Sequence, residues 1–128
     1  MKFKVLLTVN SVLALVTGTA CVLVPVQLLA QYEVTLSPMG LVVYQFWGAT
    51  LFGLGMLIWI ARAINDPVLQ RRISLALFVT NALSCMMALR GQYAGANARG
   101  WSMVVLFGLL AVAYGVFIFV KRQNTSTK

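Results

Sequence analysis

The stretch from Ser37 to Arg62, SPMGLVVYQFWGATLFGLGMLIWIAR, constrains this chain most, because it carries no charge between its ends. A helix needs roughly 20 mainly apolar residues to cross a bilayer, and this stretch supplies them. Its ends are also written in the sequence. Ser37 can accept from an exposed backbone N–H, and Pro38 suits the first helical turn, where its missing donor costs nothing. Arg62 marks the far water boundary. Gly48, Ala49, Gly53 and Gly55 strip side chains from part of the helix, and Ala49 and Gly53, four apart, predict a face on which a neighbouring backbone comes close.

Composition sets the class. Of the 128 residues, 61% are hydrophobic and 9% charged, whereas roughly a quarter of a soluble domain is charged. The polar stretches are too short to bury a core of their own, which leaves one domain inside the bilayer over 1–122 and a disordered tail over 123–128. A net charge of +8 suits nucleic acid only when it gathers on one soluble face. Here the basic residues punctuate apolar runs, so nucleic acid is excluded as a partner.

In chain order, Lys2 and Lys4 precede an apolar run to Val24 that stops at Pro25, giving a first span over 5–24. The basic start, with GTAC ending at Cys21, also resembles a cleaved lipoprotein signal. Gly18 stands where such sites carry a large aliphatic residue and the run is long, so the span is expected to stay. VQLLAQY is too short to cross and suits a short helix or turn in the interface. The second span is 38–61. Asp66 before Pro67 predicts a further helix start leading into a third span over 73–89; Arg90 to Gly100 reads as a loop and 101–120 as the fourth span.

Lys2, Lys4, Arg62, Arg71, Arg72, Lys121, Arg122 and Lys128 fall on one side of this plan, and only Arg90 and Arg99 on the other, which predicts cytoplasmic termini. Each half also offers an Asn in its first span and a Gln-Tyr pair after it, Gln31-Tyr32 and Gln92-Tyr93, a faint echo of two hairpins.

Chemistry is sparse. The chain has no histidine and two acids, Glu33 and Asp66, placed in loops on opposite sides. Histidine-ligated haem, di-iron carboxylate sites and paired-carboxylate catalysis all need residues it lacks, so neither cofactor nor metal is expected. Cys21 and Cys85 lie at similar depth, where a disulfide is conceivable and packing is the plainer role. Counting about 1.5 Å of rise per residue puts Asn10 roughly 8 Å deep, Asn81 roughly 12 Å and Tyr114 roughly 10 Å, a candidate intramembrane polar cluster. Ala14 and Gly18 on the first span, with Ala49, Gly53 and Gly55 on the second, form the expected packing surface. Glu33 with Arg90 and Arg99 is a candidate outer ion pair or headgroup contact.

The run VPVQLLAQYEVTLSPMG, followed by FWGATLFGLGMLIWIAR, resembles small four-span bacterial membrane proteins of unknown function, similar in build to DoxX-like proteins. That resemblance implies a bacterial inner membrane and a compact four-helix bundle; it carries over no activity. The expected fold is all-α, four antiparallel transmembrane helices. Three function classes follow. They are an accessory or scaffold subunit that meets membrane lipids and other membrane subunits or copies of itself, a small oligomeric transporter or lipid-binding protein for a neutral or lipid substrate, and a membrane enzyme.

Overall fold

The computed structural model describes residues 2–125, with side chains from Phe3 to Val120. Five helices follow one another: α1 Lys2–Leu23, α2 Pro25–Ala30, α3 Pro38–Ala61, α4 Pro67–Tyr93 and α5 Gly100–Thr125. All but α2 are long and apolar enough to cross a membrane. Only 17% to 33% of each spanning window is buried, so most of its apolar surface faces outward. Phe46 at 76% exposed and Phe119 at 66% are stable in that position only against lipid.

The starts of α3 and α4 follow one device. Ser37 Oγ accepts from the Gly40 N–H at 3.1 Å, Asp66 Oδ1 accepts from the Val68 N–H at 2.9 Å, and a proline opens each first turn. Their extended N-cap residues leave no ambiguity about where the helix begins.

Three boundaries differ from the sequence reading. Helix α4 continues through Arg90–Tyr93, where the sequence predicts a loop, and ends in a Schellman motif. Gly95 takes φ 101°, Gly95 N–H donates to Gln92 O at 3.2 Å and Ala96 N–H to Gly91 O at 3.2 Å. Leu23 rather than Val24 closes α1. Helix α5 runs on to Thr125, so residues 123–125 are helical; the rest of the expected tail, 126–128, lies outside the described residues.

A second Schellman motif closes α2, with an unusual residue at its turning point. Val34 N–H donates to Leu29 O at 3.2 Å and Glu33 N–H to Ala30 O at 3.1 Å, while Glu33 itself sits at φ 57°. Glycine ordinarily fills that left-handed position, because a Cβ crowds the following carbonyl. The two Gln-Tyr pairs therefore do not occupy equivalent places. Gln31 stands two residues before its left-handed turn residue and Gln92 three before Gly95.

The chain divides into two units, Leu7–Ala63 and, joined to Met1–Leu6, Ile64–Lys128. In the first, Arg62 meets Thr8, Gly55 meets Ser11 and Leu15, Gly48 meets Gly18 and Cys21, and Gln45 meets Val22. Numbers rise along α1 as they fall along α3, so this unit is a helical hairpin with α2 in its turn. In the second unit α4 and α5 pair the same way, with Phe78 against Gly115 and Cys85 against Val104 and Gly108. Phe3 stacks on Phe117 with ring centroids 5.3 Å apart.

Candidate functional site

Two kinds of feature inside the spans can do more than fill space: places where backbones nearly touch, and polar groups withdrawn from lipid. Both are concentrated along the seam of the first hairpin. There Ser11, Ala14, Gly18 and Cys21 on α1 face Gln45, Gly48, Phe52 and Gly55 on α3, and each series alternates steps of three and four. That is the 3.5-residue period of interlocking helices. A methyl group on Gly18 would stand 2.6 Å from the Phe52 amide nitrogen and 2.8 Å from the Gly48 carbonyl oxygen, and one on Gly48 would stand 2.5 Å from Cys21 Cβ. No side chain fits at either position.

This seam corrects the expected packing surface. Ala14, Gly18 and Gly55 lie on it, but Ala49 is exposed and Gly53 has nothing within 4 Å of where its Cβ would be. On a helix, residue 49 is turned about 100° from residue 48, which carries the pair Ala49 and Gly53 off the contact face. Gly48, one of the small residues that open the span, and Ser11 join the surface; the three-four spacing of small residues along both helices is the signal that marks them.

Polar groups along the seam are spent on backbone or on each other. Ser11 Oγ donates to Gly55 O at 2.9 Å, Gln45 Nε2 to Val22 O at 3.0 Å, and the buried Cys21 thiol to Tyr44 Oη at 3.3 Å. In the second hairpin the fully buried Ser74 donates to Gln70 O at 2.8 Å, and Asn81 Nδ2 donates to Leu77 O at 2.7 Å. Hydrogen bonds to a carbonyl one turn back remove a polar group's cost in lipid without joining two helices.

Asn10, Asn81 and Tyr114 are all withdrawn from the surface, at 8%, 5% and 0% exposed. Asn10 belongs to the first hairpin, Asn81 and Tyr114 to the second. Asn10 and Tyr114 each make interactions of their own, and the Asn81 amide is engaged within its helix. Glu33 is exposed in the first hairpin's turn; Arg90, in the last turn of α4, and Arg99, just before α5, are exposed in the second unit. Cys21 and Cys85 are both free thiols, one in each unit, and the Cys85 Sγ donates to Val104 O at 3.6 Å. Among the described residues, no three His, Cys, Asp or Glu side chains gather as metal ligands would.

At the end of α3 the cationic Arg62 is held from two sides. Its guanidinium carbon lies 3.3 Å from the centre of the Trp59 ring, and Nη1 donates to Thr8 Oγ1 at 3.4 Å. This grouping holds a fixed charge at the end of a span by an aromatic face and a hydroxyl.

Helices of this length with outward apolar surfaces define a multi-pass integral membrane protein of all-α build. No family model, curated protein or solved structure matches the chain.

Proposed function

We propose that this chain is a non-enzymatic accessory or scaffold subunit of a larger membrane assembly. It stands in a bacterial inner membrane as an antiparallel bundle of four transmembrane helices, DoxX-like in build, with both termini cytoplasmic. The observation that carries this reading is where the polar side chains of the spans are spent. Ser11, Gln45, Ser74 and Asn81 all donate to backbone carbonyls, so the intramembrane polarity serves helix structure and close packing. Helix α3 also turns Ala49 and Gly53 outward with room beside them, which is the surface a partner helix needs for backbone contact.

Solubilising the tagged full chain in mild detergent tests the reading. The expected result is a second membrane protein in fixed stoichiometry, lost or reduced on Gly53→Leu while the melting temperature of the chain alone is unchanged. A homo-oligomer with no second protein would overturn it in favour of a small transporter or lipid-binding protein.

A further inference from the structure

We infer that Arg62, oriented by Trp59 and Thr8, binds the phosphate of an anionic phospholipid headgroup at the membrane surface where α3 ends. The site lies wholly within the first hairpin and does not depend on the subunit reading, since a headgroup contact can serve any multi-pass protein.

Arg62 has no carboxylate partner within its own hairpin. Glu33 is the sole acid between Leu7 and Ala63, and it precedes α3, whereas Arg62 follows it. A helix of 24 residues separates them by about 36 Å at 1.5 Å per residue, far beyond the roughly 8 Å screening length of physiological salt. The chain's other acid, Asp66, belongs to the second unit, where its Oδ1 accepts from the Val68 N–H at the start of α4. No carboxylate of the hairpin reaches the guanidinium, so its counter-charge comes from outside.

Geometry then selects the ligand. A guanidinium carries five N–H donors in a planar fork that matches two phosphate oxygens at once. Stacking on Trp59 uses its face and Thr8 Oγ1 takes a bond from Nη1, which restricts the long side chain and leaves further N–H donors for a ligand. A phosphate binding there meets a donor set whose ordering cost is largely met. Arg62 follows the last apolar residues of the span, Ile60 and Ala61, and Trp59 is 40% exposed, which suits the amphipathic depth of headgroups. A plain membrane anchor needs only a positive charge there, and lysine would do as well; the fork on an aromatic face is what the phosphate reading adds.

The test titrates the full chain in mild detergent with phosphatidylglycerol, with phosphatidylcholine and with inorganic phosphate, counting bound molecules by native mass spectrometry. The parent is expected to retain phosphatidylglycerol over phosphatidylcholine. Arg62→Gln should remove that preference, a loss of about tenfold, as one charge-assisted contact implies. Arg62→Lys should lose several-fold and Thr8→Val, which keeps the charge but frees it, a smaller part; Arg72→Gln should behave as the parent. Helicity by circular dichroism checks that each variant is folded, and if Arg62→Gln is not, Arg62→Lys and Thr8→Val decide. Retention by Arg62→Lys equal to the parent would reduce Arg62 to a charge anchor and overturn the proposal. Displacement of the lipid by millimolar inorganic phosphate would assign the site to a soluble anion and overturn it equally.

Discussion

At Gly18 the spacing between two helices is decided by one missing methyl group. The nearest atoms to that absent Cβ are backbone, the Phe52 amide nitrogen and the Gly48 carbonyl oxygen, and backbone cannot rotate away as a side-chain tip can. Gly18→Ala should therefore force α1 and α3 apart and cost about 1 to 3 kcal/mol, the usual range for overpacking. Gly53→Ala, turned off the seam and facing open space, should change stability by less than about 1 kcal/mol, since alanine is also the better helix former. Thermal unfolding in detergent compares the two, and equal effects would mean the seam is misplaced. The sequence made half of this legible. Ala14, Gly18 and Gly55 stand out as small residues in apolar helices, but which of Gly48 and Gly53 faces α1 depends on the helix's rotation, and a glycine-rich span leaves rotation undetermined until its partner is known.

Elements were legible where the backbone needs a particular residue. Ser37-Pro38 and Asp66-Pro67 announce helix starts because the first-turn N–H groups require an acceptor and the proline gives up nothing. The ends were harder. Helix α4 continues past Arg90 because Gly91 tolerates helix and the true stop signal is Gly95, hidden among several small residues. At α2 the stop residue is Glu33, which nothing in the local sequence marks as left-handed. Such a conformation costs a non-glycine residue about 1 to 2 kcal/mol, so Glu33→Gly should raise the unfolding midpoint and Glu33→Val, with its branched Cβ, should lower it. Both are read from thermal melts in detergent. A fall with Glu33→Gly would mean that the carboxylate contributes more than its strain removes.

For the whole molecule, the distribution of basic residues makes the strongest statement. In the first hairpin Thr8 on α1 meets Arg62 at the end of α3, and in the second the short 94–99 turn puts the end of α4 beside the start of α5. Along the sequence, Lys2, Lys4, Arg62, Arg71 and Arg72 are residues from which the positive-inside rule predicts a cytoplasmic side, whereas the 94–99 turn carries only Arg99, with Arg90 one helical turn before it. Charge near the ends of spans sets orientation because basic loops are retained on the cytoplasmic side during insertion. With Cys21 and Cys85 first replaced by alanine, single cysteines at Lys2, Ala96 and Asn124 should report this through a membrane-impermeant thiol reagent in intact cells. Ala96, exposed in the turn after α4, should label without lysis, and the other two only after it. Reversing the bias tests cause as well as outcome: Arg71→Gln with Arg72→Gln, combined with two lysines added between Ala94 and Ala98, should shift part of the population to the opposite labelling pattern. Labelling of Lys2 or Asn124 in intact cells carrying the original charges would place the termini outside. Arg62 and the surface around Trp59 would then face the opposite leaflet.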